Sequence, residues 1–313
     1  MNNQQLTLFP SQPLNTKDLT RQTPLGAAFD LFAESLRREG KSEHTIKAFL
    51  GDLHLLAERT GSDTALGVYT TELLNAFLNW MEVGRGVPCS RKTYARRVTS
   101  LKVFFKWLHT IQAISNDPAK AILQRSGPAP LSDALTPTQY LACIREAQNM
   151  KKGDDYDTRP EFILRLIVET GIKKGETATL LLSDVDMSNL QQPVIVIRHK
   201  VQNVYKERRL EMSKELMAAY QAYRLQYSPT KEVFTCTTRN LEYILTDIGN
   251  FADVPFKLSF ENLRWTMGVR DWRLGMEEEA IREKMGLSRP SWHETSGKIK
   301  TLVEQQLKDE GAL

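Results

Sequence analysis

The sequence predicts a mainly α-helical chain of two domains, an all-helical one followed by an α+β one with a small antiparallel sheet. Three observations predict this. Apolar residues recur at three- and four-residue spacing from about Ala27 to Leu123. The stretch LQRSGPAPLSDALTP (123–137), with its glycine, prolines and small residues, then reads as a linker. Beyond it, the short β-branched run PVIVIR at 193–198 interrupts an otherwise helical pattern.

The element boundaries follow from start and stop signals. Residues 1–24 are polar and proline-rich and read as a flexible arm, followed by a helical domain over 25–123. Ala28, Leu31, Phe32 and Leu36 mark the apolar face of a first helix. Ser42, three residues before Thr45, starts a second that Gly61 stops. TTELLNAFLNWMEVGRG gives a third, ending at a glycine-rich turn. In the fourth, Ser90 to His109, an apolar stripe runs through Tyr94, Val98, Leu101, Phe105 and Leu108. Off that stripe stand Arg91, Lys92, Arg96, Arg97, Lys102 and Lys106, and no acidic residue interrupts them within 90–109. Such a helix suits a phosphate backbone as well as it suits a solvated charged face.

After the linker, assigned to 124–135, the second domain spans 136–313. Thr136, Pro137 and Gln139 form a capping-box start. EFILRLIVE (161–169) is apolar nearly all round and predicts a buried helix. Strands are expected at 193–198 and 207–212, joined by HKVQNVYK, with helices at 213–227, 238–250, 259–271, 276–286 and 295–309.

Composition bounds the function classes. With 41% apolar and 26% charged residues over 313 positions, the chain has ordinary globular content. A net charge of +4 permits nucleic-acid binding without arguing for it. Cys89, Cys143 and Cys236 are odd in number, far apart and without metal-ligand spacing, so they read as reduced thiols of a cytosolic protein. The N-terminus lacks a signal-peptide pattern, and no apolar run is long enough to span a membrane. Glu277, Glu278 and Glu279 have no accompanying histidine and read as complements to a helix dipole. No metal or other cofactor is expected.

Four segments in order resemble the tyrosine recombinase (phage integrase) family, over roughly residues 27–300. SEHTIKAFLGDL and SRKTYARRVTSLKVFFKWL, followed by Asn116-Asp117-Pro118, are similar to its helical, SAM-like core-binding domain. TGIKKGETATLLLSDVD (170–186) is similar to the segment carrying its first catalytic arginine, and IRHKVQNVYKERRL (197–210) to the hairpin carrying its lysine. LSFENLRWT (258–266) resembles its His-x-x-Arg box, and EEAIREKMGLSRPSWHETS (278–296) its closing segment. The resemblance implies a tyrosine that attacks a DNA phosphodiester, two arginines that grip the phosphate, and a lysine and histidines that move protons.

This sequence departs from that set at most positions. Lys173 stands in place of the first arginine and lacks its planar fork. Lys200 retains the lysine, with Lys206 a close competitor. Glu261 replaces the histidine, where it is expected to repel phosphate or pair with Lys173 or Arg264, and Arg264 is retained. Leu287 replaces the late histidine or tryptophan; Trp292 and His293 lie nearby. Ser296 stands at the nucleophile position, and Tyr243 is the last tyrosine of the chain.

The resemblance also implies that duplex DNA is the partner, clamped between the two domains. Contacts are expected from Lys173, Lys200, Lys206 and Arg264 as well as from the basic helix. A nucleoid-associated cytoplasmic location follows from that partner. The terminal stripe Ile299, Leu302, Val303 and Leu307 either docks into a neighbouring protomer or packs on its own core. Three readings result: a DNA-binding protein that has lost cleavage, an active recombinase with a displaced nucleophile, or a protein–protein adaptor on the same scaffold.

Overall fold

The computed structural model describes residues 15–123, 130–201 and 204–311; within the hairpin near 200, the side chains of residues 199–201 and 204–206 fall outside the description. The chain forms two compact units, Met1–Ala129 and Pro130–Leu313. Its architecture is mainly helical with small antiparallel sheets.

The first unit contains α1 (Phe29–Arg38), α2 (Glu43–Thr60), α3 (Thr71–Asn79) and α4 (Arg91–Thr110). Hydroxyl caps start the last three: Ser42 on the Thr45 N–H, Thr70 on the Leu73 N–H and Ser90 on the Thr93 N–H. A π-helical turn, Trp80–Gly84, extends α3. Phe32, Leu53, Leu101, Phe104 and Phe105 are fully buried at the centre, so the expected stripe on α4 does face the core. Residues 15–24, expected as part of the arm, belong to the first unit's fold. Leu19 is buried, the Leu66 N–H donates to the Thr23 carbonyl at 2.9 Å, and the Gly67 N–H donates to the Arg21 carbonyl at 2.7 Å. Backbone pairing and one leucine anchor residues 15–24 despite their polarity; residues 1–14 lie outside the described residues.

The second unit begins before the expected boundary. Leu135 is buried and its N–H donates to Thr266 Oγ1 at 2.9 Å, so the end of the expected linker belongs to this core. The capping box at Thr136 and Gln139 starts α5 (Pro137–Asn149). A two-residue hairpin follows, β1 (Lys151–Lys152) with β2 (Asp155–Tyr156), too short to leave a period in the sequence. Helix α6 (Arg159–Thr170) is the central post and packs against α5, α8 (Lys214–Tyr227), α9 (Thr238–Phe251) and α10 (Phe260–Arg273). Phe162 on α6 stacks on Tyr223 and Phe234, with ring centroids 5.1 and 5.2 Å away.

After the one-turn helix α7 (Lys174–Thr177) comes an antiparallel sheet of order β3 (Val185–Asp186), β4 (Val194–Val201), β5 (Val204–Glu211). The register runs from Val194 opposite Glu211 to Val201 opposite Val204. Residues 199–206, expected as a connection, are therefore mostly strand, because cross-strand pairing continues past the apolar run that signals it.

Helices α11 (Glu278–Met285) and α12 (Arg289–Asp309) close the unit. The last helix starts earlier than expected, because Ser288 caps it and Pro290 falls in its first turn, where proline is favourable. Trp292, Ile299, Leu302 and Val303 are buried with Met267, Val269, Ile281 and Met285 in a third apolar cluster. The terminal stripe thus packs on its own unit. Gln306 Nε2 donates to the Leu135 carbonyl at 3.2 Å, and Arg273 grips the Glu310 carboxylate at 2.8 and 2.7 Å.

Gly171 ends α6 with φ +64, a left-handed cap, and turns the chain toward Lys173. A Cβ here would sit 2.4 Å from Met267 Cε. Gly171→Ala should therefore lower stability by about 1–3 kcal/mol in urea unfolding; an unchanged midpoint contradicts this account of the turn.

Candidate nucleic-acid interface

The basic helix divides into structural and exposed cations. Asp52 of α2 is buried beneath α4 and accepts from Arg96 Nη1 at 2.6 Å and Ser100 Oγ at 2.7 Å. Arg96 Nη1 also donates to the Ala48 carbonyl at 2.9 Å. Arg97 is buried, with Nη1 2.9 Å from Cys89 Sγ and Nε 3.8 Å from Asp52 Oδ1. Burial drives the Asp52 carboxyl above its ordinary value, against the hydrogen bond from Ser100 and the charges of Arg96 and Arg97. Arg97 therefore does not face a ligand, and Arg96 is tied to α2. The acidic partner is invisible within 90–109 because it comes from another helix. Arg91, Lys92 and Lys106 are exposed and Lys102 is half-buried. Lys92, Lys102 and Lys106, with Thr99, share one face by their spacing.

Two of the resemblance positions in the second unit, Lys173 and Arg264, meet where two helices end. Gly171 closes α6 and Gly286 closes α11, both in left-handed caps. Helix C-termini leave carbonyls without intrahelical donors and carry partial negative charge. Arg264 Nε donates to the Gly171 carbonyl at 2.8 Å, and its Nη2 to the Met285 carbonyl at 2.7 Å. Lys173 Nζ donates to the Gly286 carbonyl at 2.7 Å. Burial holds the Lys173 ammonium and the Arg264 guanidinium below their ordinary ranges.

Two residues complete the cluster that sequence reasoning passed over. Glu176 Oε2 accepts from the Lys173 backbone N–H at 2.8 Å, and its two oxygens take Arg208 Nη1 and Nη2 at 2.9 and 2.8 Å. Both side chains are nearly buried, at 7% and 8% exposure, so this is an enclosed bidentate pair. Burial opposes the charge on Glu176, but the Arg208 hydrogen bonds and charge, with Lys173, together hold its carboxyl below the ordinary range. Arg208 lies under Gly286, where a Cβ would come within 2.5 Å of Nη1. The available signals were a glutamate three residues after Lys173 and an arginine in an otherwise amphipathic strand.

Among the described side chains, the other positions take no part in this hydrogen-bond network. Glu261 is exposed in the first turn of α10 and touches Arg264 only through charge. Among the described residues it forms no ion pair with Lys173 or Arg264, one of the two roles expected for it. Leu287 packs beside the third apolar cluster, with its carbonyl accepting from Arg282 Nη1 at 2.5 Å. Ser296 sits within α12 and its hydroxyl donates to the His293 carbonyl one turn back, at 3.3 Å. Trp292 is core and His293 is exposed. Lys200 and Lys206 occupy β4 and β5, with Lys200 opposite Tyr205 and His199 opposite Lys206; their side chains lie outside the described residues.

An open cleft of about 1030 Å³ lies between β5 and the α11–α12 turn, with Lys173, Arg208, Arg209, Lys284, Arg289 and Ser291 among its lining residues. Lys284 is tied to the buried Asp271 at 2.7 Å. Ser296 does not line this cleft. Among the described residues no group of three or more His, Cys, Asp or Glu is placed to hold a metal ion, Cys89, Cys143 and Cys236 are free thiols, and no helix is long and apolar enough to cross a membrane.

Comparison with known proteins adds three findings. Residues 29–111 match the family model described as the phage integrase N-terminal SAM-like domain. Tyrosine recombinase XerC of Mycobacterium leprae (strain TN) is 31% identical over 163 residues, covering 51% of this chain and 54% of the relative. XerC of Mycobacterium sp. (strain KMS) is 31% identical over 169 residues, covering 52% and 55%. The chain thus spans about half the length of the curated relatives it matches. Among solved structures, a lambda integrase dimer bound to a COC′ core site aligns with TM-score 0.67 at 14% identity, over 87% of this chain and 77% of that one. The Tn1549 transposon integrase in complex with transposon right end DNA aligns with TM-score 0.67 at 17% identity, over 88% and 94%. At these identities the likeness is one of fold.

Two outcomes test the electrostatic assignments. Asp52→Ala leaves the buried Arg97 without its carboxylate and should cost about 3 kcal/mol or more in urea unfolding, where a loss under ~1 kcal/mol contradicts it. Glu176 titrates lower in the folded than in the unfolded chain, so its stabilisation is complete above the ordinary carboxylate range and is lost as pH falls through the folded value. Glu176→Gln should therefore show a shallower acid limb in stability against pH than the unmodified chain; parallel limbs count against the Arg208 pairing.

Proposed function

We propose that this chain, which the comparisons support as a member of the tyrosine recombinase/phage integrase family, binds duplex DNA without cutting it. The observation that carries the reading is the state of the nucleophile position. Ser296 donates to a carbonyl of its own helix, and among the described residues it is not one of those that line the cleft. A serine used for attack needs a base within hydrogen-bond reach and donors around the phosphate. Lys173 and Arg264 instead donate to backbone carbonyls, and no histidine stands at the Glu261 or Leu287 positions.

DNA binding itself is supported by the SAM-like match over residues 29–111 and by the exposed cations of α4. Arg91, Lys92, Lys102 and Lys106 are the groups that contact backbone phosphates on this reading. Such contacts position a protein on DNA without reading sequence. A silent partner of an active recombinase, a repressor and an architectural protein all fit this chemistry.

The test uses the full chain and a duplex nicked near its centre, which traps a covalent intermediate by losing a short strand. The expected result is a mobility shift that weakens steeply with salt, with no protein-linked DNA on a denaturing gel. Lys92→Glu with Lys106→Glu should weaken the shift without changing the melting temperature. A heat-resistant adduct that disappears in Ser296→Ala supports an active enzyme instead, and the absence of any shift at low salt supports the adaptor.

A further inference from the structure

We propose that backbone phosphate is held in the second unit by Arg209 and Arg289, at the mouth of the cleft, and not by the cations on its floor. This rests on the reading that the chain binds duplex DNA. The floor cations already have partners. Lys173 donates to the Gly286 carbonyl at 2.7 Å, Lys284 donates to the buried Asp271 at 2.7 Å, and Arg208 is bidentate with Glu176. Drawing any of them to a phosphate would leave a helix-end carbonyl or a nearly buried carboxylate without its donor.

The mouth is different. The Arg209 side chain is 60% exposed and Arg289 is 84% exposed. Their nearest carboxylates, Asp186 and Glu279, are each 3.9 Å away, beyond the reach of a charge-assisted hydrogen bond. Both guanidinium forks are therefore available for bidentate contact with a phosphate. Two carboxylates also line the cleft, and each is drawn toward another arginine: Glu207 lies 3.6 Å from Arg198 Nε and Glu283 lies 3.4 Å from Arg282 Nη2. Arg209 comes from β5 and Arg289 from the first turn of α12, and both line the cleft. The chemistry selects a phosphodiester oxygen, held without a bond being made or broken.

The experiment measures the affinity of the full chain for a random-sequence duplex of about 30 base pairs between roughly 50 and 200 mM salt. Each phosphate neutralised contributes about 0.9 to the slope of log K against log salt. Arg209→Ala with Arg289→Ala should flatten that slope by about 2 and weaken low-salt binding by about ten-fold or more, with the melting temperature unchanged. Lys173→Ala should lower the melting temperature and leave the slope as it was. If the unmodified chain binds but the double variant keeps its slope, the mouth assignment is wrong and the DNA reading stands. A flattened slope with normal melting in Lys173→Ala returns the phosphate to the floor and also overturns the proposal. If the unmodified chain binds no duplex at all, both readings fall together.

Discussion

Two helix ends meet in the second unit, and the cations that satisfy them organise everything around the cleft. Gly171 and Gly286 close α6 and α11 in left-handed caps, so their carbonyl ends need donors from elsewhere. Arg264 and Lys173 supply those donors, and positive charge is favoured at this end of a helix dipole. Glu176 then fixes Lys173 through its backbone N–H and anchors Arg208, which in turn needs the bare backbone of Gly286 above it. The strand β5 and the turn from α11 into α12 are held in one arrangement by this chain of contacts.

That arrangement bears directly on chemistry. A phosphate-gripping arginine works by offering two parallel donors to a ligand. Here two of the three Arg264 nitrogens already donate to carbonyls, and the lysine at the neighbouring position has one ammonium, directed at a third. The result is a basic pocket whose charges brace the fold. On the proposed reading, affinity for DNA comes from exposed cations that the fold does not need, such as Lys92, Lys106, Arg209 and Arg289.

Much of the fold was legible in the sequence. Periodicity located the buried face of α4 and the buried helix α6, and hydroxyl caps located the starts of α2 and α5. What escaped depends on partners distant in sequence. The basic run on α4 looked uniformly available because Asp52, which holds Arg96 and lies near Arg97, comes from α2. The pairing of Glu176 with Arg208 spans 32 positions and leaves no local pattern. Leu19 and Leu135 sit in polar, proline-rich surroundings, yet each is buried because neighbouring backbone groups find hydrogen-bond partners in the adjacent structure. The candidate site was legible as a set of positions in order, but not as a network, because which cation meets which acceptor is decided by packing.

The most direct test of the self-satisfied site is to follow the arginine side-chain Nε–H resonance of Arg264 in the full chain, free and saturated with duplex DNA. The account predicts a hydrogen-bonded, exchange-protected signal in the free protein that keeps its position when DNA binds. An unprotected signal in the free chain, or a large shift of this resonance on DNA binding, would show Arg264 to be open to phosphate and would contradict the account.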